Sequence, residues 1–263
     1  MPDASGTWPG TGSSPGPTGA GGPRLRNLLR ATAPRVGRGL ATAVVTCVPV
    51  ALIAGLVQLQ LDPLRRLDEG AIRAATDVTR ANPALLDALL GWQQALLPWH
   101  VYLAVVPVAI WTWRAGLRAR TVWGVATALV GWNLGLDVKL LVQRARPMVT
   151  DPISHAPGYS FPSGHVFNVT MALACALVMI WPLLRRHPPA LAYGLLFLAA
   201  VVSLLTALDR VFLGVHYPSD TVAGVLLALA LTYSSWAGFR YKPARRAGEG
   251  RDIPIHPQPG GRR

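Results

Sequence analysis

Long apolar runs alternate with short polar segments along this chain, and the runs predict membrane-spanning helices. The first run, residues 40–61, has the roughly 20 residues that a helix needs to cross the hydrocarbon core of a bilayer. The six predicted spans are residues 40–61, 98–113, 122–142, 166–184, 190–208 and 221–239. The predicted fold class is therefore an all-α, polytopic membrane helical bundle with about six transmembrane helices.

The polar segments predict what surrounds these spans. Residues 1–38, rich in Gly and Pro and ending in a basic flank, and residues 242–263 are predicted to be disordered tails, which leaves 39–241 as one domain. Between the first two spans, residues 62–97 mix leucines with charged residues and predict an amphipathic helix along the membrane surface. This segment is long enough to cover a site, but nothing in it is specific for catalysis.

Composition and charge narrow the class of protein. Hydrophobic residues make up 51% of the chain and charged residues 14%, which is too apolar for an ordinary soluble domain. The formal net charge of +13 is concentrated in the tails and in loops on one side of the predicted spans. Basic loops are typical of the cytoplasmic side, so we expect a plasma-membrane protein with both termini in the cytoplasm. Nucleic-acid binding is disfavoured because no basic surface interleaved with aromatic residues is present.

The two cysteines offer no metal chemistry. Cys47 and Cys175 lie in separate apolar runs, without the spacing of a zinc site or a redox motif. We expect both to be buried free thiols and no metal to bind through them.

A first cluster of cations lies at the outer end of the third span, where the topology does not explain positive charge. Lys139 and Arg146 are two helical turns apart and would share a face, at about 10 Å along a straight helix. Pro147 disfavours helical geometry at Arg146, so the chain is expected to bend there and let both cations meet one phosphate. Taken alone, a snorkelling lysine and a surface arginine are the simpler interpretations.

A second cluster, in the stretch YSFPSGHVFN, begins the fourth span with Pro162, Ser163 and Gly164. A helix start exposes unpaired backbone N–H groups and so favours anions. The Ser163 hydroxyl is a further donor, and Gly164 allows close approach of an oxyanion to the backbone. His165 is placed to protonate a departing oxygen. The alternatives are helix capping by Ser163 and an interfacial hydrogen-bonding role for His165.

A third cluster joins the fifth and sixth spans in the stretch LDRVFLGVHYPSD. It holds a cation, Arg210, an imidazole, His216, and a carboxylate, Asp220. A carboxylate that binds one imidazole nitrogen leaves the lone pair of the other nitrogen free to attack. N-capping of the sixth helix is the alternative role for Asp220. All three clusters are predicted on the same outer side of the membrane.

The ordered set of motifs resembles the type-2 phosphatidic acid phosphatase (lipid phosphate phosphatase) superfamily. Its three parts here are Lys139-x6-Arg146-Pro147, Pro162-Ser163-Gly164-His165 and Arg210-x5-His216-x3-Asp220. The resemblance implies that His216 is a nucleophile forming a phosphohistidine, that Asp220 orients it, and that His165 protonates the leaving oxygen. It also implies metal-independent catalysis without a cofactor, and phosphate binding by Lys139, Arg146, Ser163, Gly164 and Arg210.

One position departs from the motif. Asp209 stands where this superfamily usually has a serine, and an ionised carboxylate cannot donate a hydrogen bond to phosphate. We expect it either to weaken phosphate binding or to turn away and pair with Arg210 or another cation.

These observations together predict an integral membrane phosphatase for a lipid phosphomonoester or pyrophosphate at the outer face. Its substrate would be phosphatidate, phosphatidylglycerophosphate or a polyprenyl (pyro)phosphate. A lipid phosphotransferase with the same chemistry, and a non-catalytic transporter or assembly protein, are the alternatives. Soluble vanadium haloperoxidases share similar anion-binding motifs, but six spans argue against that chemistry. The sequence indicates neither the particular lipid nor the oligomeric state.

Overall fold

The structure, a computed structural model, describes residues 22–148 and 153–240, with side chains from residue 32 onward. Within these ranges it is built of helices, without a strand. The helices are α1 (Gly22–Thr46), α2 (Val48–Gln58), α3 (Asp62–Arg80), α4 (Pro83–Ala95), α5 (Pro98–Arg114), α6 (Arg118–Val142), α7 (Gly164–Leu184), α8 (Pro189–Phe212) and α9 (Pro218–Arg240). Most of them begin with a proline in the first turn, where the missing N–H has no helical partner to lose.

The tails differ in part from expectation. Residues 1–21 and 242–263 of the two predicted tails lie outside the described residues. Residues 22–38, expected to be disordered, belong to α1, which therefore begins well before the apolar run.

Four helices, α6 to α9, are each long and apolar enough to cross a membrane. Two further spans are counted if α1 with α2, bent by 45°, and α4 with α5, bent by 56°, are each one broken span. The expected six spans are therefore the upper count among the described residues. The first predicted span is interrupted at Cys47, because Pro49 in the first turn of α2 cannot donate to the preceding helix. Cys47 is half-buried rather than buried, and both cysteines are free thiols.

The segment at 62–97 forms two helices, α3 and α4, instead of one. The expected amphipathic pattern holds for α3, whose buried face packs against the C-terminal end of α8. Ile72 and Ala75 form an apolar cluster with Val211, and the Thr79 hydroxyl donates to the Phe212 carbonyl over 2.9 Å. This face of α3 therefore covers the junction between α8 and α9.

Helix α7 lies at the centre of the bundle and contacts α5, α6, α8 and α9. Small residues let α6 approach it closely. A Cβ atom at Gly131 or Gly135 would lie 2.5 Å from the Met171 side chain or 2.9 Å from the Phe167 ring, respectively. Close helix contacts of this kind use glycine because apolar lipid supplies no hydrophobic force to drive helices together. This contact holds the end of α6 beside the start of α7.

Candidate active site

The three sequence clusters meet at one end of the bundle. Lys139 lies in the last turn of α6, and its Cε atom is 3.6 Å from where a Cβ of Gly164 would be. Arg146 places Nη1 3.2 Å from Nε2 of His216, in the turn between α8 and α9. His165, near the start of α7, interacts electrostatically with the cations of the other two clusters. The structure thus gathers every predicted site residue at one place.

Lys139 and Arg146 come together because helix α6 ends before Arg146, and not because of the predicted bend at Pro147. Helix α6 ends at Val142, and Gln143 takes a left-handed conformation with φ 52° and ψ 33°. Its N–H donates to the Lys139 carbonyl over 2.9 Å, as in a C-terminal helix cap. The two cations therefore do not share a helix face, because Arg146 lies in the non-helical segment that follows the cap.

Backbone carbonyls hold the Arg146 guanidinium in place. It donates to the carbonyls of Pro157, Gly158 and Val215 over 3.0, 2.9 and 2.8 Å. Lys139 is held similarly, by the Tyr159 carbonyl at 2.9 Å. Neither cation forms a salt bridge with a carboxylate in the described part of the chain. Their positive charge is therefore not compensated by a paired carboxylate, and an anionic ligand can pair with it.

The start of α7 offers donors that the protein itself does not use. Ser163 occupies the N-cap position, but its hydroxyl makes no capping hydrogen bond, so the capping alternative is wrong. Its Oγ and the Nε2 of His165 are buried and have no hydrogen-bond partner among the described residues. A buried polar group without a partner costs about 1–3 kcal/mol. Such groups are suited to a ligand with several acceptor oxygens, as phosphate has.

His216 and Asp220 form the predicted pair. His216 Nδ1 lies 3.6 Å from Asp220 Oδ2, slightly beyond hydrogen-bond distance, and Oδ2 accepts from the Tyr217 N–H at 3.0 Å. Because α9 begins at Pro218, the carboxylate reaches back to its N-cap residue and combines capping with orientation of the imidazole. From these partners we assign the proton to Nδ1, which leaves the Nε2 lone pair toward Arg146.

The environment keeps His216 neutral. The side chain is almost fully buried, and this burial lowers the pKa of His216 to about 4 because an imidazolium is poorly solvated there. Asp220 opposes the change in the pKa of His216, while the positive charges of Arg146 and Lys139 reinforce it. At neutral pH Nε2 of His216 is therefore unprotonated, as a nucleophile requires.

Asp209 pairs with its neighbour Arg210. Its Oδ2 accepts from Nε of Arg210 at 2.8 Å and from Nη2, and both side chains are buried. This is one of the two outcomes expected for the departure from the motif. The carboxylate neutralises part of the charge that Arg210 would offer a phosphate, so Lys139 and Arg146 are the less compensated cations.

Two polar residues in contact with the site were not among the predicted site residues. Arg144 donates to Asp220 Oδ1 over 2.6 Å and to Asp68 Oδ2 over 2.8 Å. None of the three sequence motifs assigns a role to Arg144, and nothing in residues 62–97, the segment that holds Asp68, is specific for catalysis. One signal was available, since Asp68 occupies the same helical face as Ile72 and Ala75, where a carboxylate is costly unless paired.

Gly224 keeps the starts of α7 and α9 in contact. The Ser163 N–H donates to the Asp220 carbonyl at 3.0 Å, and a Cβ at Gly224 would lie 3.0 Å from the Ser163 carbonyl oxygen. We expect Gly224→Ala to separate the helices and to cost about 1–3 kcal/mol of stability, with most activity lost. Gly194→Ala, where a Cβ would meet nothing within 4 Å, is the control and should be neutral or stabilising. Thermal unfolding in detergent measures both; equal midpoints for the two variants would contradict the packing argument.

The fold is a helical membrane bundle, and its site places a buried, neutral histidine among cations. These features define the class: a membrane protein with a site suited to phosphate. The sequence profile of the PAP2 superfamily matches residues 115–244. Putative undecaprenyl-diphosphatase YbjG of Escherichia coli is 31% identical over an aligned length of 156 residues, and the match covers 50% of this chain and 70% of that protein. The chain belongs to the PAP2 superfamily, and the resemblance found in the motifs is confirmed.

Two other relatives are matched over smaller shares of their own length. Phosphatidylglycerophosphatase B of Bacillus subtilis is 34% identical over 99 residues, 36% of this chain and 46% of that protein. Undecaprenyl-diphosphatase BcrC of the same species is 27% identical over 138 residues, 51% of this chain and 65% of that protein. The chain thus spans about half to two thirds of the length of these two curated relatives.

A solved structure confirms the fold. The crystal structure of a transmembrane PAP2-type phosphatidylglycerolphosphate phosphatase from Bacillus subtilis matches with a TM-score of 0.66 at 22% identity. The match covers 78% of this chain and 99% of that one. The predicted all-α membrane bundle is confirmed, and the chain is a multi-pass membrane protein.

Proposed function

We propose that this protein is an integral membrane phosphatase that hydrolyses a lipid phosphomonoester or pyrophosphate through a phosphohistidine on His216. The observation that carries the proposal is the geometry of His216. Its imidazole is buried and neutral, Nδ1 lies on the side of Asp220, and Nε2 lies 3.2 Å from a guanidinium nitrogen of Arg146. A phosphate held by Arg146 would therefore place its phosphorus within reach of the lone pair.

In the first step, Nε2 of His216 attacks phosphorus and the bond from phosphorus to the lipid oxygen breaks. His165, which takes up a proton when the anionic phosphate binds beside it, delivers that proton to the leaving oxygen, and Asp220 stabilises the positive charge of the phosphorylated imidazole. In the second step, water attacks phosphorus, His165 takes a proton from the water, and the bond from phosphorus to nitrogen breaks. Inorganic phosphate leaves, and neutral His216 is restored.

The phosphate-binding groups supply the charge neutralisation that this reaction needs. Phosphoryl transfer depends mainly on positioning and on stabilising charge on the equatorial oxygens. Lys139, Arg146 and the donors at the start of α7 surround the place where those oxygens would lie. The proposal therefore includes no metal ion and no cofactor.

An apolar cleft of about 1360 Å³ between α3, α7, α8 and α9 supports a lipid substrate. Leu173, Leu204 and Val222 are among its lining residues. The cleft also includes Val211 and Thr221, which follow Arg210 and Asp220 directly in the chain. We propose that the apolar chain of the substrate occupies this cleft while its phosphate lies at His216. A cleft of this composition favours an apolar chain without selecting one lipid.

A panel of substrates tests this function. The purified protein in detergent, with a chelator present, would be given phosphatidate, phosphatidylglycerophosphate, a polyprenyl pyrophosphate and glycerol 3-phosphate. We expect chelator-resistant phosphate release from at least one lipid and much weaker release from glycerol 3-phosphate. Transfer of the phosphoryl group to an added alcohol in preference to water would favour the phosphotransferase instead. Inactivity on the whole panel would contradict the proposal.

The pKa of His216 sets an expected pH dependence. A proton on Nε2 would block attack, so on the acid side activity should fall only as the pH approaches the pKa of His216, about 4. If His216 were exposed, the loss of activity at acid pH would instead occur near pH 6.5. The test is to measure kcat/KM as a function of pH. The titration of the substrate phosphate is measured separately and its effect on kcat/KM is subtracted. Protein returned to pH 7 is assayed again, to exclude irreversible inactivation. A corrected acid limb near 6.5 would contradict the assignment of a buried, neutral nucleophile.

We further propose that the site faces the extracytoplasmic side and that both termini are cytoplasmic. Arg114, Arg118, Arg185 and Arg240 all lie at the helix ends away from the site, as expected for cytoplasmic loops. A Cys placed at Met148, an exposed residue on the site side, should react with a membrane-impermeant maleimide on intact cells. His187→Cys, at the opposite end of α7, should react only after lysis, with the native chain as background control. The reverse pattern would contradict this orientation.

A further inference from the structure

Asp68 is a fully buried carboxylate on α3, far in sequence from the residues it binds. Its Oδ1 accepts from the Ser219 N–H at 3.1 Å, and its Oδ2 accepts from the Ser219 hydroxyl at 2.5 Å. A third donor is Nη2 of Arg144, at 2.8 Å. A buried carboxylate with this many donors is fixed in one position, and it fixes the first turn of α9 in return.

Arg144 connects Asp68 to the catalytic pair. One nitrogen, Nη1, donates to Asp220 Oδ1 at 2.6 Å and to the Ser219 hydroxyl at 2.7 Å, while Nη2 binds Asp68. The guanidinium carbon lies 4.0 Å from the centre of the Tyr217 ring. A planar guanidinium can bridge two carboxylates in this way, whereas a lysine ammonium cannot reproduce the geometry.

The two oxygens of the Asp220 carboxylate have different partners. Oδ1 is held by Arg144, and this leaves Oδ2 to the Tyr217 N–H and to His216 Nδ1. The rotation of the carboxylate is therefore set from the side opposite the nucleophile. Two carboxylates around one guanidinium leave the group with one net negative charge. That charge complements the cationic imidazole formed when His216 is phosphorylated.

We propose that Asp68 and Arg144 are positioning residues for phosphoryl transfer, acting through Asp220 on His216, an inference that rests on the proposed function. The surface helix α3 is thereby part of the catalytic apparatus, because its Asp68 holds Arg144, and Arg144 binds the carboxylate partner of the nucleophile. Neither residue touches the phosphate. Both act on the rate at which His216 attacks and not on substrate binding.

The test compares Asp68→Asn with Asp77→Asn, a matched change at an exposed position of the same helix. Single-turnover measurements with excess protein and the best lipid of the panel give a rate constant, an amplitude and an apparent affinity. For Asp68→Asn we expect a rate constant about tenfold to hundredfold lower, with unchanged amplitude and an affinity within about threefold of the native chain. Asp77→Asn should match the native chain in all three quantities.

Arg144 and Ser219 give independent readouts if Asp68→Asn does not fold. Arg144→Lys should recover part of the rate lost in Arg144→Gln, and Ser219→Ala, which removes one hydroxyl, should slow the reaction several-fold at full amplitude. A lower amplitude with an unchanged rate constant would show a purely structural role and overturn the inference. Native rate constants in all these variants would also overturn it, while leaving the proposed function in place. A native chain inactive on the panel would overturn both.

Discussion

Replacing His216 with alanine is expected to lower phosphate release from the best lipid substrate at least about thousandfold. The variant loses the atom that accepts the phosphoryl group, and none of the neighbouring side chains can replace it. Lys139 and Arg146 are cations held by backbone carbonyls, and Asp220 is held by Arg144. Substrate affinity should change little, because the phosphate-binding groups remain in place. Phosphate release and equilibrium lipid binding, measured on the same preparation, separate the two effects.

His187→Ala is the control for this variant, since His187 is an exposed histidine at the far end of α7. It should retain native activity. A His216→Ala protein with more than about a tenth of native activity would show that phosphoryl transfer does not pass through this residue.

His165→Gln should give a loss that depends on the leaving group. With an alkyl lipid phosphate, the departing oxygen needs a proton, and removal of the general acid should cost about 10²–10⁴-fold in rate. With p-nitrophenyl phosphate the leaving phenolate is stable without a proton, so the loss should be less than about tenfold. The ratio of the two single-turnover rates is the measurement.

His100→Gln serves as the comparison variant for the general acid. His100 binds the Gln94 carbonyl through Nδ1 and lies on α5, outside the site. His100→Gln should leave the single-turnover rate unchanged with both substrates. Equal losses with both substrates in His165→Gln would show that His165 binds phosphate without transferring a proton.

Much of this architecture follows from the sequence because its signals are local. Apolar length identified the four unbroken spans, and motif spacing identified the residues that meet at His216, but not Arg144 and Asp68 behind Asp220. The interruption at Cys47 was missed because the apolar run continues through it, and only the proline in the next turn marks the break. Asp209 was left with two possible orientations, and its pairing with Arg210 depends on burial that a motif does not reveal.

Two features of the site could not be predicted, because they depend on backbone geometry or on distant contacts. Gln143 adopts a left-handed conformation that non-glycine residues rarely take, so the sequence pointed to Pro147 as the bend instead. Asp68 contacts Ser219 across 151 positions of sequence, and its place on the apolar face of α3 indicates burial but not the groups that it binds. Its role becomes visible only when the packing of α3 against α8 and α9 is known.

Direct trapping of the phosphorylated protein tests the central claim. The native chain would be mixed with a ³²P-labelled lipid phosphate in the presence of chelator, quenched in alkaline detergent within milliseconds, and mapped by mass spectrometry. We expect a phosphoryl group on Nε2 of His216 that is stable in alkali and lost in acid, and that is absent from His216→Ala. Phosphate release by the native chain with no labelled protein, or with label on another residue, would contradict it.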